Sequence, residues 1–351
     1  MIHNVKKYAV FILACSIHGL TYSQDSTTKL QIAVRGEGYY NISSGGKQDI
    51  ARTYLVSHNS NNIPSINLLM GSASFQSKQW SGEISGLIGT YAELNLGTEI
   101  GPLRNIGSLW LAHKPKSHLE ILVGVYSSHI GLESPVSMDC MNPSRSIVAD
   151  NTPYYQSGIR IRHEMGEDAI ALHILNGWQR SSIDSHGIIP AMGYEYTTKK
   201  NSMNVRVSGF IGSTKHQESE GIRYYQHIGL TGQPRDNLSL AGSIDLGYQL
   251  KNDVSTFVIA PVIMGQWKIN ESFTMNARAE YYHDQNGMII NNQSGLSAIG
   301  YSMGIDWMAM RNILLRCEYR SMQEMRDVLN VRNNYPIVGM HLQWFIAKYL
   351  M

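Results

Sequence analysis

The stretch Leu238-Ser-Leu-Ala-Gly-Ser-Ile-Asp-Leu-Gly-Tyr-Gln-Leu250 decides the fold. Its even positions are Leu238, Leu240, Gly242, Ile244, Leu246, Tyr248 and Leu250, and its odd ones are Ser239, Ala241, Ser243, Asp245, Gly247 and Gln249. A period of two puts each set on its own face of a β-strand, one oily, the other small and polar. A strand of this length crosses a bilayer at a tilt. The same dyad recurs along most of the chain, and no apolar run approaches the roughly 20 residues of a spanning helix. Within a bilayer every backbone polar group needs an internal partner, so strands cross only as a closed barrel. The expected fold is all-β: an antiparallel transmembrane β-barrel.

Composition agrees. Only 16% of the 351 residues are charged, against about 25% in ordinary soluble chains, yet the mean hydropathy is slightly negative. Alternation produces that combination, because each apolar position is followed by a polar one. The 32 glycines and 20 tyrosines suit twisted strands with aromatic belts at the bilayer surfaces.

Residues 1–23 read as a signal peptide, with Lys6 and Lys7 as the basic region, Tyr8–Ile17 as a short apolar core and cleavage near Ser23. A rival reading is a lipoprotein cleaved before Cys15. Removing 1–23 leaves 27 basic residues against 27 acidic ones, a neutral chain with no charge case for nucleic acid. Cys140 and Cys317 then remain, and are expected as unpaired thiols.

Residues 24–351 read as one barrel domain, without linker or low-complexity run. About seventeen strand candidates emerge, among them Leu30–Tyr40, Arg52–Asn59, Ile84–Leu96, Tyr154–Glu164 and Ile337–Ile346, with turn signals such as Gly45-Gly46, Asn252-Asp253, Asn286-Gly287 and Asn333-Asn334. A bacterial single-chain barrel has an even count, so sixteen strands are expected, with fourteen or eighteen open. The pairs Tyr39-Tyr40, Tyr154-Tyr155, Tyr224-Tyr225 and Tyr281-Tyr282 fall near strand ends and are expected at the bilayer boundary.

Parity also assigns the charges. Arg35, Glu37, Arg160, Arg162, Glu164, Arg206, Asp245, Arg278, Glu280, Arg316, Glu318 and Arg320 all oppose an apolar face. A charge facing lipid at the midplane costs about 2–4 kcal/mol, so these residues belong to a polar interior and are expected to line it. They either pair and stiffen the wall or set a field that filters solutes. Arginine outnumbers the acids among them, a weak lean towards anions. Gly131–Pro153 is too long for a tight turn. It either folds into the lumen as a constriction, bringing Glu133, Asp139, Arg145 and Asp150 there, or reaches outwards to lipopolysaccharide and neighbours.

The run Ser128-His-Ile-Gly-Leu-Glu-Ser134, the run Ser144-Arg-Ser-Ile-Val-Ala-Asp-Asn-Thr-Pro-Tyr-Tyr-Gln-Ser-Gly158, and Asn176-Gly-Trp-Gln-Arg180 carry a resemblance. With Glu280-Tyr-Tyr-His-Asp284 and Arg316-Cys-Glu-Tyr-Arg320, they resemble the putative β-barrel porin-2 (OmpL-like) family of Bacteroidetes-type outer membranes. The resemblance covers most of the chain. It implies an outer-membrane barrel with a porin role and names no substrate. Thr152 stands where serine is expected before Pro-Tyr-Tyr, and His283 interrupts Glu-Tyr-Tyr-Asp.

Signals for enzymes are poor. Gly300-Tyr-Ser-Met-Gly304 fits the nucleophile-elbow pattern, but strand alternation runs straight through it, where the motif needs a sharp turn into a helix. His163-Glu164 lacks a second histidine four residues on, and the other histidines show no ligand spacing. The reading is a passive porin for small hydrophilic solutes in outer-membrane lipid, without catalytic residue, metal or cofactor, and of a size compatible with a homo-oligomer. An outer-membrane hydrolase and a non-conducting structural or adhesive barrel are the alternatives.

Overall fold

The computed structural model describes residues 28–43, 54–181, 191–213, 221–251, 254–290, 295–327 and 330–350. Sixteen antiparallel strands close into one barrel. The first eight are β1 (Lys29–Ser43), β2 (Ser65–Gln76), β3 (Trp80–Ile88), β4 (Ile106–Lys116), β5 (Leu119–Ser127), β6 (Tyr155–Met165), β7 (Asp168–Leu175) and β8 (Ala191–Lys200). The rest are β9 (Met203–Ser213), β10 (Ile222–Arg235), β11 (Leu238–Lys251), β12 (Val254–Lys268), β13 (Phe273–Asp284), β14 (Leu296–Met310), β15 (Ile313–Asp327) and β16 (Asn330–Leu350). Each strand pairs with its sequence neighbours, and β1 meets β16 with Leu30 opposite Leu350, which removes every sheet edge.

Seven connections are tight turns, at 77–79, 117–118, 166–167, 201–202, 236–237, 269–272 and 311–312, all at one end of the barrel. Gly166 (φ 69°) and Asn201 (φ 52°) supply the left-handed backbone that two-residue hairpins require. The opposite end carries the longer connections, including helix α1 (Thr90–Asn95) and helix α2 (Ile147–Asn151). No described helix is long and apolar enough to cross a membrane.

The parity of β11 holds: Leu240, Leu246, Tyr248 and Leu250 are exposed on the outer wall, while Ala241, Asp245 and Gln249 are buried within. Outward aromatics form two girdles. Phe75, Trp80, Trp267, Phe273 and Trp307 lie towards the turn end, and Tyr40, Tyr224, Tyr248 and Tyr281 towards the loop end.

Several expectations are corrected. Residues 54–59 form no strand: they fold into the barrel, with Tyr54, Leu55, Ser57 and His58 buried, which removes the seventeenth candidate. The strand expected to reach Leu96 ends at Ile88. Gly89 turns the chain (φ 120°), a Cβ there would meet the Asn67 carbonyl oxygen at 2.5 Å, and α1 follows. Asn333-Asn334 is no turn, because β16 runs through it, with Asn334 opposite Gln323. The tyrosine pairs do not sit whole at the boundary. Successive strand residues face opposite ways, so Tyr39, Tyr225 and Tyr282 are buried inside while their neighbours face out, and Tyr154 and Tyr155 are both buried. Residues 1–23 (with Cys15), Gly45-Gly46, Arg52 and Asn252-Asp253 lie outside the described residues. Cys140 is a buried free thiol and Cys317 an exposed one.

The two faces make different demands on a substitution. Leu246→Arg, on the lipid side, is expected to lower the unfolding free energy by about 2–4 kcal/mol. Thr231→Arg, whose side chain would enter an internal cavity, should cost far less. Urea unfolding of the refolded protein in lipid vesicles checks both.

Candidate functional site

Residues 128–154, between β5 and β6, do not leave the barrel. They fold into its lumen and lie against the inner faces of β12–β16 and β1, while their first residues meet β9, where Arg206 donates to the Gly131 carbonyl at 2.9 Å and the His129 ring meets the Gly209 carbonyl at 2.9 Å. Bending a loop into a closed wall buries backbone groups that water can no longer serve, and each unmet group is costly. The wall meets them with ionised side chains. Arg316, held bidentate by Asp306 at 2.9 and 2.7 Å, donates to the carbonyls of Ser137 (2.7 Å), Met141 (2.9 Å), Cys140 (3.2 Å) and Asn142 (3.3 Å). Arg278 donates to the Ser144 carbonyl at 2.6 Å and Gln266 to that of Met141 at 2.7 Å.

Carboxylates take the loop's N–H groups. Glu37 accepts from Ser137 N–H at 2.5 Å, Glu318 from Ser144 N–H at 3.0 Å and Glu280 from Ile147 N–H at 2.6 Å. The last of these serves the first turn of α2, where a negative charge is favoured. Ser146 caps the same helix, accepting from Ala149 N–H at 3.2 Å, and its own hydroxyl donates to Glu133. Charge-assisted bonds of this kind are roughly twice as strong as neutral ones.

Apolar contact completes the seat. Ile147 and Val148 pack with Tyr54, Leu55, Val258, Ala260, Val262 and Met264 in one buried cluster. Strand β12 therefore breaks the dyad. Its outer face is lipid-side, and its inner face is also apolar because the loop covers it. The continuous run Phe257–Met264 is the sequence signal for this, since a strand buried on both faces reads without alternation. At the loop's far stem, Gln179 accepts from Tyr154 N–H at 2.7 Å, and Trp178 stacks edge-on against Phe210 and Tyr225 under the Arg223 guanidinium.

The inward-pointing charges divide into two groups. Glu37, Asp245, Arg278, Glu280, Arg316, Glu318 and Arg320 are shut away, at 2–5% exposure. All but Asp245 hold the loop or the residues that hold it. Asp245 instead accepts from His227 at 2.9 Å. Arg35, Arg160, Arg162, Glu164 and Arg206 keep side-chain exposures from 23 to 48%. Of the four loop charges, Glu133, Arg145 and Asp150 are enclosed, and only Asp139 stands open, at 49%. The buried Arg145 donates through Nε to the Ser134 carbonyl at 2.9 Å and lies over the Tyr91 ring. The glutamines Gln266 and Gln343, and the acceptor Asp306, were not among the residues expected from sequence; parity alone gives a neutral inward amide no distinction.

Burial governs the loop's ionisation. It raises the Asp150 carboxyl to about 6 against the opposing pull of Arg145, raises Glu133 against Arg278, and pushes the Cys140 thiol up to about 12. It also lowers His129, at the loop's entry, to about 4.

Beside the seated loop, open space remains. A cavity of about 680 Å³ adjoins β6–β10, with Arg162, Glu164, Glu195, Thr197, Arg206 and Thr231 in its lining. A smaller one of about 230 Å³ lies between the loop and β1–β5, bordered by Arg35 and Asp139. The interior is thus a sixteen-strand wall holding a loop folded into its lumen, with open space beside that loop.

A family model described as putative beta-barrel porin-2, OmpL-like, matches residues 29–340. The chain belongs to that family. It is an outer-membrane porin, and the bacterial outer membrane is its place. No curated protein matches it in sequence. In fold this porin is similar to Salmonella typhi OmpF in its complex with daunomycin, with TM-score 0.65 and 9% identity over 92% of this chain and 98% of the other. It is similar to an anion-selective porin from Comamonas acidovorans, with TM-score 0.56 and 7% identity over 91% and 99%. It is similar to the trimer form of Vibrio cholerae OmpT, with TM-score 0.59 and 8% identity over 91% and 99%.

Two outcomes are expected of the porin's loop seat. Arg316→Met leaves Asp306 buried without its partner and strips bonds from four carbonyls. Breaking a buried pair costs about 3–5 kcal/mol, so urea stability should fall by that order and limited proteolysis should begin to cut within 134–146. Asp150, whose folded-state value lies above its ordinary one, contributes stability that is full below about pH 4 and lost as pH rises through about 6. Unfolding midpoints measured from pH 4 to 7 should therefore fall more steeply in the wild type than in Asp150→Asn.

Proposed function

We propose that small hydrophilic solutes diffuse passively past the free face of the 131–153 loop, along the inner wall of β4–β9. The observation that carries this reading is where the loop's bonds fall: most go to β12–β16 and β1, Arg206 of β9 holds only the Gly131 carbonyl at the loop's start (2.9 Å), and the larger cavity opens beside β6–β10. The wall there is polar and charged, with Lys114, Arg160, Arg162 and Arg206 set among Glu120, Glu164 and Glu195.

The charge preference is weakly anionic. Arg160 pairs with Glu120 at 2.7 Å and Arg206 with Glu195 at 3.2 Å, and in each pair the guanidinium reaches further into water. Side-chain exposures of 23% and 37% for the arginines, against 16% and 8% for their carboxylates, turn these two pairs positive side outwards, while Glu164 (48%) beside Arg162 (26%) opposes them and keeps the preference weak. No step of passage needs a cofactor, because pore width and wall charge do the sorting.

The chain works as a channel rather than a hydrolase. Ser302, the serine of the elbow-like pattern, sits mid-strand in β14, almost fully buried beneath Asn142. An internal cavity of this size also favours conduction over a sealed structural barrel. Lipopolysaccharide contacts belong to the loop end, and assembly with further copies follows the precedent of the trimeric V. cholerae neighbour.

Planar-bilayer recording of the refolded protein under a KCl gradient tests the reading. Stable steps with an anion-side reversal potential are expected, and Arg160→Glu with Arg162→Glu should carry that potential to the cation side. A heat-modifiable, folded barrel that passes no current would sink the proposal.

A further inference from the structure

We propose that Arg35 and Asp139 form an exchangeable latch across the crevice between the loop and β1–β5, and that this latch sets the crevice's effective width and charge preference. The inference rests on the porin reading above.

Strand β1 turns two consecutive inward charges towards the loop, and they meet it in different ways. Glu37 is buried. Its carboxylate accepts from the Ser137 backbone at 2.5 Å and from Asn67 at 2.8 Å. Ser137 is further pinned by Arg316 on its carbonyl (2.7 Å) and Gln343 on its hydroxyl (2.6 Å). Two residues along each chain, Arg35 Nη1 donates to Asp139 Oδ2 at 2.6 Å, with side-chain exposures of 34% and 49%. A second ion pair between an arginine of the wall and a carboxylate of the loop, Arg278–Glu133, is enclosed at 0% and 6%.

These settings give the two contacts different lifetimes. An enclosed bond to the backbone cannot exchange with water without unseating the loop. An ion pair open to solvent contributes little and competes with water and salt at every moment. Arg35 and Asp139 can therefore part by side-chain rotation alone, on the picosecond-to-nanosecond scale of exposed rotamers, while Ser137 stays fixed. When joined, they span the lining of the cavity of about 230 Å³, which also includes Ser72, Glu83, Ser85 and Ser108. When parted, they stand as opposite charges on the β1 side and the loop side of the same space.

Single-channel recording of the full mature chain tests the latch with Asp139→Asn, Arg35→Gln and the exchanged double variant Arg35→Asp with Asp139→Arg. Both single variants should conduct more than wild type. Their reversal potentials should move in opposite senses, Asp139→Asn towards anions and Arg35→Gln towards cations, and the exchange should bring conductance back towards the wild-type value. The conductance gap between wild type and the single variants should also narrow from 0.1 to 1 M KCl, as the screening length falls from about 10 to about 3 Å. Heat-modifiable gel mobility confirms that each variant is folded. Folded single variants that match wild type in conductance and reversal potential would overturn the latch and leave the porin reading intact. A folded wild type that passes no current would overturn both.

Discussion

A loop driven into a closed barrel must find a partner for every backbone group it buries, and this obligation organises the interior. The wall that receives it is a sheet, whose own N–H and C=O groups are spent on neighbouring strands. Side chains must therefore do the bonding, and they must reach peptide groups whose directions are set by the loop. Long ionised side chains suit this: guanidinium forks take several carbonyls at once, as Arg316 takes four, and carboxylates take the N–H groups of Ser137, Ser144 and Ile147. The charges of β13 and β15 thus neutralise one another and clamp a backbone, and little of their field reaches the water.

Because these bonds are to peptide groups, the seat depends on the loop's path more than on its side chains. Ser144 shows the principle. Its N–H, carbonyl and hydroxyl are all engaged by the wall, yet only the hydroxyl belongs to the side chain. The apolar patch of β12 adds area without direction, and the directional bonds choose the register. A seat concentrated on one side leaves open space along the opposite wall.

The segment 54–64 reinforces the arrangement from above. Ser57 N–H bonds the Asp150 carboxylate at 3.3 Å, Asn151 donates to the Tyr54 carbonyl at 2.9 Å, and the His58 ring lies edge-on to His341 at 4.4 Å. Two insertions from different loops are thereby joined inside one lumen. The cost is a set of buried polar groups in a low-dielectric interior, where burial raises Asp150 and holds the His58 imidazole neutral.

The sequence by itself determined the barrel, because lipid on one side and polar groups on the other impose a period of two that needs no knowledge of neighbours. It also determined which charges point inwards, since parity is a local property of a strand. It misplaced residues 54–59 and the end of β3, where short apolar–polar runs alternate by chance but the chain bends inwards. Only the tertiary structure decided which inward charges face water. Arg278 and Arg206 look alike in sequence, each flanked by apolar neighbours, yet one is sealed beneath the loop and the other lines open space. That difference arises from where a loop over a hundred residues away in sequence lies against β13, a long-range contact that no local period encodes.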